Sequence, residues 1–415
     1  MIDVSTLVLL LLVATAAVVL ASWLRVSYTL VLLVSGLVVG ASGWLPDVQP
    51  SADLILLAFL PPLIFEAAFL LDLRLLWSVR AGVLTLALPG VLVAAGVGGA
   101  LVHWGLGLPW MVALLFGTLV AATDPVSVLA TFRDLGVGHR LRVLMEGESL
   151  LNDGTALVLL ATLTTGVLTD EFSPSDATGE FIVSILGGSL IGIAVGWVGH
   201  WMIYTVDQHL TEMAVSVAVA YGAFFTADLL GLSGVLATIA AAMTLGWFGR
   251  RHGWVFTQRS REVLTDLWEL LAFTANAGLF LLIGLEVSVA GMREQPTAVI
   301  WGVVAALAGR LVVAYAGGAL LNRTGFSISC PERHVLFWGG LRGAVALAGA
   351  LSLPDGFPYR RELLAMTYGA VLFTLLAQGL TIGPLVRWLG LGGHTPVPVP
   401  VIDETPVITT TDRTI

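Results

Sequence analysis

The chain is a succession of long apolar stretches separated by short polar connections. An α-helix needs about 17 to 25 predominantly apolar residues to cross a bilayer. Thirteen stretches of this kind follow one another along the sequence, and they predict thirteen membrane-spanning helices. The predicted spans cover residues 4–24, 28–45, 52–71, 82–104, 109–131, 145–168, 181–205, 212–229, 232–249, 268–288, 297–321, 334–353 and 364–389.

The composition indicates the same class of protein. Of the 415 residues, 57% are hydrophobic and only 11% are charged, and the mean hydropathy is +0.94. A soluble domain of this size would not have these values, so we predict an all-α polytopic membrane protein. The first apolar run follows Asp3 rather than a basic cluster, which favours a first span over a signal peptide. Cys330 is the single cysteine, which excludes a disulfide framework.

The arginines predict the orientation of the chain in the membrane. All 19 basic residues are arginines, and positively charged residues accumulate in cytoplasmic loops. If the N-terminus is outside, fourteen arginines fall on inner loops and the C-terminal tail, and three fall on outer loops (Arg293, Arg360 and Arg361). We therefore expect an inner or plasma membrane protein with an external N-terminus and a cytoplasmic C-terminus.

The stretch 145–160 carries acids where a membrane span should have none. Glu148, Asn152 and Asp153 open a run that stays apolar through Leu168. An ionisable side chain at the centre of a bilayer costs about 2.5 to 3.5 kcal/mol on insertion scales, so it usually faces a cavity and has a function. This stretch therefore predicts an ion pathway.

The fifth predicted span contains a helix break. Pro125 lacks an amide hydrogen and disfavours helical geometry at Asp124, and unwound backbone at membrane depth is tolerated only when it lines a cavity or is buried in protein. Ser149 and Asp153 are four residues apart and can face this break together. Such oxygen donors suit a small hard cation. The alternative is a plain proline kink that Asp124 caps.

Two arginines interrupt later spans. Arg310 lies in the eleventh span and needs an anion, for which Glu148 is the candidate partner. Arg342 lies in the twelfth span among three glycines, which weaken the helix and predict a second break.

The positions of the two breaks predict an internal repeat. The fifth and twelfth spans are seven apart, which fits two six-span repeats, about 4–168 and 212–389, joined by a linking helix at about 181–205. An odd offset makes the second repeat inverted, and inverted repeats with broken helices that meet at the midplane are typical of secondary transporters. The membrane domain is predicted to cover residues 1–391, and residues 392–415 are predicted to be a short, disordered cytoplasmic tail.

Two further acids are candidates for the pathway. Glu66 follows two prolines in the third span, and it either lines the ion pathway or is paired locally. Asp228 ends the eighth span, where it is either a helix-end acid or a residue of the cation entrance.

The motifs together resemble those of the NhaP-type sodium/proton antiporters, the cation:proton antiporter family that includes the animal sodium/hydrogen exchangers. The resemblance covers about residues 5 to 390, and four motifs carry it: Phe65-Glu66-Ala67, Thr123-Asp124-Pro125, Glu148-Ser149-Leu150-Leu151-Asn152-Asp153-Gly154 and Gly340-Leu341-Arg342-Gly343. It implies a thirteen-helix homodimer, built like the NhaA-type antiporters, with a dimerisation domain and a six-helix core in which spans five and twelve cross.

The resemblance also implies residue roles. Asp153 corresponds to the carboxylate that binds the cation and the proton, and Glu148 with Arg310 to the core ion pair. Asn152 corresponds to the neutral neighbour typical of the electroneutral branch and is expected as a further residue of the cation- and proton-binding site. The expected sodium ligands are Asp153, Asp124, Ser149 and Thr123. The family implies no resident cofactor; its partners are monovalent cations, protons and the lipid bilayer, with no nucleic acid.

The mechanism expected from these roles is antiport by alternating access, in which sodium (or lithium) and protons compete for Asp153. Because an amide at position 152 cannot carry a second proton, we expect electroneutral one-for-one exchange. The alternatives are a potassium/proton antiporter of the same fold, an intramembrane aspartyl protease that uses Asp124 and Asp153, and a cation channel. The sequence favours the antiporter, because Arg310 and Glu66 have no use in such a protease and two isolated helix breaks suit an occluded site better than a continuous pore.

Overall fold

The computed structural model describes residues 4–24, 26–42, 54–169, 173–206, 208–251, 258–286, 289–323 and 325–393. Within these ranges the chain is α-helical and contains no β-strand. The predicted disordered tail lies outside the described residues from position 394 onward.

The described residues of the first half of the chain form nine helices, and a π-helical turn, Leu54–Phe59, leads into the third. They are α1 (Val4–Leu24), α2 (Tyr28–Ser42), α3 (Leu60–Leu70), α4 (Leu73–Ala87), α5 (Pro89–Leu106), α6 (Trp110–Leu119), α7 (Val126–Leu135), α8 (His139–Thr169) and α9 (Pro174–Tyr204).

In the second half, the part of the chain that the structure describes forms ten helices, with π-helical turns at Val313–Gly317 and Thr374–Gln378. They are α10 (His209–Leu229), α11 (Gly234–Arg251), α12 (Gln258–Glu286), α13 (Val289–Glu294), α14 (Pro296–Val312), α15 (Gly318–Arg323), α16 (Cys330–Trp338), α17 (Ala344–Leu351), α18 (Arg360–Phe373) and α19 (Gly379–Trp388).

Seven helical stretches of the described chain are long and apolar enough to cross a membrane. Five shorter apolar helices accompany them: Leu9–Leu24, Tyr28–Gly40, Leu57–Leu70, Trp110–Leu119 and Gly234–Phe248. The predicted span 109–131 is divided, because the helix stops before Pro125 and resumes as α7. The predicted span 145–168 begins earlier than expected, since α8 starts at His139.

The start of α4 shows how local sequence sets a helix boundary. Asp72 is the N-cap residue, and its Oδ1 accepts hydrogen bonds from the amides of Arg74 (3.0 Å) and Leu75 (3.1 Å). Partial burial acts to raise the pKa of Asp72, but the hydrogen bonds from Leu75 and Arg74 outweigh it and hold the pKa below its usual value. The predicted span 82–104 therefore starts nine residues too late.

The helices pack into two bundles. Helices α1 to α3 and α9 to α12 contact one another and form what we call the peripheral bundle. Helices α4 to α8 and α14 to α19 form the core bundle, in which α5 packs against α6 and α14, and α4 against α8. Contacts between the bundles are sparser than contacts within each of them, so two bodies meet along one interface.

One end of the molecule gathers loops that carry arginine. Arg140 at the start of α8 pairs with Glu332 in the first turn of α16 (3.1 Å), and His139 lies 3.6 Å from Asp72. The amide of Gly393, after α19, donates to the carbonyl of Leu135 at the end of α7. We call this the arginine-rich end.

Glycines allow close contact between α9 and α11. The repeat of Gly188, Gly192 and Gly196 predicts a close-packing face, and this prediction is confirmed. A Cβ at Gly188 would lie 2.6 Å from the carbonyl oxygen of Ser233, one at Gly196 would lie 2.7 Å from that of Ala241, and one at Gly192 would overlap the backbone of α11.

We predict that Gly192→Ala destabilises the protein by about 1 to 3 kcal/mol, because the added methyl group pushes α9 away from α11. Gly179→Ala on the same helix is the control, since a Cβ there meets no atom within 4 Å. Thermal unfolding of both variants in detergent micelles measures the difference. Equal midpoints for Gly192→Ala and Gly179→Ala would contradict this packing.

Candidate ion-binding site

Two broken helices cross inside the core bundle. The first break separates α6 from α7 and covers residues 120–125, and the second separates α16 from α17 and covers residues 339–343. The amide of Asp124 donates to the carbonyl of Leu341 at 2.8 Å, so the two breaks contact each other directly. The predicted break before Pro125 and the predicted break beside Arg342 therefore both lie at one point of the structure.

Asp124 faces the positive ends of two half-helices. Its Oδ1 accepts from the amide of Val126 at 3.0 Å, at the start of α7, and its carboxylate also accepts from the amide of Ala344, at the start of α17. A helix N-terminus carries partial positive charge and unpaired amides. Asp124 thus caps both half-helices, and its other oxygen packs against the backbone of Gly343.

Arg342 faces the opposite kind of helix end. Its Nη1 donates to the carbonyls of Ala121 and Ala122, each at 3.1 Å, just beyond the C-terminus of α6. Its Nη2 donates to the carbonyl of Ala306 in α14 at 3.0 Å. The side chain is 1% exposed. This guanidinium therefore satisfies carbonyls that the break has freed.

Asp153 and its neighbours on α8 meet the first break. Ser149 Oγ donates to the carbonyl of Thr123. Asn152 makes two hydrogen bonds to the same residue: its Oδ1 accepts from the amide of Thr123 (3.3 Å), and its Nδ2 donates to Thr123 Oγ1 (2.8 Å). Asp153 Oδ1 has no hydrogen-bond partner among the described residues. The free carboxylate oxygen of this site therefore belongs to Asp153.

Glu148 and Arg310 form a buried ion pair. Arg310 Nη1 contacts Glu148 Oε1, and Nη2 lies 3.0 Å from Oε2, which gives a bidentate arrangement. Arg310 Nε also donates to the carbonyl of Leu336 at 2.9 Å. Glu148 is 1% exposed and Arg310 is 5% exposed.

If every acid and every arginine at the crossing is counted as ionised, the buried charges do not balance. Glu148 and Arg310 neutralise each other. Arg342 then offsets one of the two remaining carboxylates, Asp124 and Asp153, with both of which it shares the crossing. One negative charge is then left over, and Asp153 has an oxygen with no hydrogen-bond partner in the part of the chain that the structure describes. One proton or one monovalent cation would make the group neutral.

A cavity of about 330 Å³ lies between the two bundles and reaches this site. Helices α7, α8 and α17 line it on the core side, and α2, α3 and α12 line it on the peripheral side. Exposed side chains of Arg133 and Glu269 stand toward the arginine-rich end, where α7 ends and α8 begins. The cavity therefore connects the crossing to one side of the molecule.

The side of Asp153 away from the cavity mouth is closed by packing between the bundles. Gly154 follows Asp153 and receives Leu236 and Val235 of α11, so that a Cβ at Gly154 would lie 2.7 Å from Leu236 Cδ2. Val235 and Leu236 are each 4% exposed. We call the contact of Gly154 with Val235 and Leu236 the apolar seal.

The structure divides the predicted site residues into groups. Thr123, Asp124, Ser149 and Asp153 line the cavity. Asn152, expected as a further binding residue, lies behind Thr123 and outside the cavity lining.

The pathway candidates also separate. Glu66 lines the cavity from the peripheral bundle, opposite the core residues. Arg342 is buried against carbonyls outside the lining. Asp228 is exposed at the end of α10 and does not line the cavity.

Three charged residues of the lining were missed in the sequence: Glu146, Glu269 and Arg133. The interval of seven residues between Glu146 and Asp153 places both on one face of a helix and could have indicated it. Glu269 and Asn276 are separated by the same interval on α12, and both line the cavity. Arg133 gave no such signal, because it lies at a helix end where arginine is ordinary.

Two crossing broken helices, a buried unpaired carboxylate and a cavity between two helical bundles define an integral multi-pass membrane protein of the ion-transporter type. The family model described as "Sodium/hydrogen exchanger, transmembrane" matches residues 8–388. The chain therefore belongs to the sodium/hydrogen exchanger family.

Relatives and a solved structure agree with this assignment. The chain is 39% identical over 389 residues to the Na⁺/H⁺ antiporter ApNhaP of Aphanothece halophytica, covering 92% of this chain and 73% of that protein. It is 34% identical over 351 residues to the Na⁺/H⁺ antiporter NhaP of Pseudomonas aeruginosa, covering 82% of each. The sodium proton antiporter MjNhaP1 of Methanocaldococcus jannaschii shares the fold, with a TM-score of 0.78, 20% identity, and coverage of 94% of this chain and 99% of that one.

We predict that Glu148→Ala lowers the free energy of unfolding by about 3 to 5 kcal/mol, because it leaves the Arg310 guanidinium buried without a counter-charge. Asp355→Ala is the control, since Asp355 is fully exposed and lies 3.5 Å from Arg360 at the surface. It should leave stability unchanged. Unfolding in detergent micelles compares the stability of the two variants. A Glu148→Ala protein as stable as the parent would show that the ion pair does not stabilise the core.

Proposed function

We propose that this protein exchanges sodium for protons across the membrane, with both ions competing for Asp153. The observation that carries the proposal is the Asp153 carboxylate, which lines the cavity and has an oxygen with no hydrogen-bond partner among the described residues. The relatives named as Na⁺/H⁺ antiporters support the choice of ions.

The donor set suits a small hard cation. Carboxylate oxygens of Asp153 and Asp124 lie with the Ser149 hydroxyl and the Thr123 backbone around the inner end of the cavity. Alkali cations prefer oxygen ligands of this kind, as other hard cations do. We assign Asp153 as the residue that exchanges ions, and Asp124 as a ligand whose position the two half-helices fix.

Exchange follows from one carboxylate that holds one ion at a time. With sodium or a proton at Asp153 the crossing is neutral, and the core bundle can move past the peripheral bundle. With Asp153 empty and charged, the same movement takes an uncompensated charge through a region of low dielectric, which is costly. The protein then returns only when it is loaded, which couples the two ion flows.

The finer topology is part of the proposal. We propose thirteen spans in two inverted six-helix repeats, an external N-terminus, and a homodimer. The crossing of the fifth and twelfth predicted spans supports the repeat, and the arginine-rich end supports a cytoplasmic mouth of the cavity. Family membership supports the dimer.

We predict that Asp153→Asn abolishes sodium-dependent dissipation of a pH gradient in proteoliposomes, because an amide neither titrates nor carries the charge that holds the cation. Asp228→Asn is the matched control and should retain parental activity, since Asp228 is exposed outside the cavity. Parallel assays with sodium, lithium and potassium identify the transported cation. If potassium alone dissipates the pH gradient, the substrate is potassium rather than sodium and the mechanism is unchanged. Activity that survives in Asp153→Asn would refute the assignment.

We predict that transport by the parent protein does not respond to membrane potential. One proton replaces one monovalent cation at Asp153, and the neutral amide of Asn152 adds no titrating site, so no net charge crosses in a cycle. Sodium/proton exchange in proteoliposomes should proceed at the same rate with and without a potassium-diffusion potential set by valinomycin. A change of rate or direction with the imposed potential would contradict one-for-one exchange.

A further inference from the structure

Three hydroxyl groups form a closed cluster beside the site. Ser27 Oγ and Thr29 Oγ1 are 2.6 Å apart, and each lies 2.8 Å from Ser127 Oγ. In such a triangle each hydroxyl can donate one hydrogen bond and accept one, so the arrangement satisfies all three donors. We call these three residues the hydroxyl cluster. Thr29 is 1% exposed.

The hydroxyl cluster joins the two bundles. Ser27 and Thr29 flank the start of α2 in the peripheral bundle, whereas Ser127 lies in the first turn of α7 in the core bundle. Two of its three hydrogen bonds therefore cross the interface between the bundles. Tyr28, between Ser27 and Thr29 in the sequence, lines the cavity.

The cluster also lies at the level of the ion-binding site. Ser127 follows Asp124 by three residues and belongs to the half-helix that Asp124 caps. A serine or threonine hydroxyl inside a helix can bond to the carbonyl four residues earlier, as Thr131 does when it donates to the carbonyl of Ser127 at 3.0 Å. In the described part of the chain, Ser127 Oγ bonds instead to α2.

We propose that Ser127, with Ser27 and Thr29, is a positioning latch that holds α7 and its Asp124 against α2 while the cavity is open to the arginine-rich end. The two crossing hydrogen bonds break when the core bundle moves, so their strength sets the ratio of this conformation to the one open on the other side. The inference rests on the proposed alternation between two open conformations.

The latch predicts graded effects. Ser127→Ala removes both crossing hydrogen bonds and leaves the Ser27 to Thr29 bond in place. Thr29→Val and Ser27→Ala each leave one crossing bond. We take each lost hydrogen bond to change the ratio of the two conformations about threefold, which is near the lower end of the range of net contributions of single hydrogen bonds in proteins. We therefore expect shifts of about tenfold for the first variant and about threefold for the others.

The test uses a cysteine in the apolar seal. Val235 is 4% exposed, so Val235→Cys reacts with a maleimide only when the bundles separate there. The native cysteine is removed by Cys330→Ser, and alkylation rates are measured for the full chain in liposomes. The rate should rise about tenfold with Ser127→Ala and about threefold with Thr29→Val.

Two controls separate the latch from general loosening. Thr131→Ala removes a hydroxyl from the same helix without touching α2, and it should leave the rate at Val235→Cys unchanged. A second reporter, Ala130→Cys, lines the cavity and is exposed in this conformation. Its rate should not rise with Ser127→Ala.

The outcomes are distinct. A rise at Val235→Cys with Ser127→Ala but not with Thr131→Ala supports the latch. Equal rates in both variants, or equal rises at both reporters, overturn it and leave the antiport proposal standing. A third outcome is that Val235→Cys never reacts in the parent background, with or without sodium, while pH gradients are still dissipated. The bundles then do not separate at the apolar seal during transport, and the latch is overturned.

Discussion

Every backbone group that a helix break frees inside the membrane needs a hydrogen-bond partner there, since the hydrocarbon of the lipid provides none. Two breaks meet at one point of this protein, and two charged side chains provide the partners. Asp124 accepts from the amides that begin two half-helices, and Arg342 donates to the carbonyls that end another. The crossing is stable because each charge faces the helix end of opposite sign. The site next to it depends on this match, since hydrogen bonds hold Asp124 and Arg342 in place, whereas one oxygen of Asp153 has no hydrogen-bond partner among the described residues.

The same arrangement explains why the protein is divided into two bundles. The charges that hold the crossing together lie within the core bundle, so the core can carry its site as one body. The interface with the peripheral bundle contains a cavity on one side and the apolar seal on the other. Apolar surfaces can separate and rejoin without leaving hydrogen bonds unmade, which suits an interface that moves. The hydroxyl cluster adds the directional contacts that a purely apolar interface lacks.

Much of this could be predicted from the sequence, because membrane burial makes every charge conspicuous. The break at Pro125, the crossing with the second break and the candidate partner of Arg310 all follow from where charge and proline interrupt apolar runs. Helix boundaries could not be predicted as well: α4 begins at its N-cap nine residues before the apolar run. The glycines around Arg342 were interpreted as weakening the helix, and the predicted break is there. What could not be predicted is that a Cβ at Gly340 would strike Arg310 and one at Gly343 would strike Asp124. Close approach of this kind depends on tertiary packing and has no signature in one sequence.

Gly154 has a mechanical consequence. It stands directly after the ion-binding carboxylate, and its bare face is what lets α11 close over the site. The contact that closes this side of the site therefore depends on the absence of a single methyl group at position 154. A larger side chain at this position would act as a wedge that favours the opposite conformation without altering a charge, a ligand or a hydrogen bond of the crossing. At this one position, steric bulk alone would thus trap the protein in the conformation that is open on the side of the apolar seal.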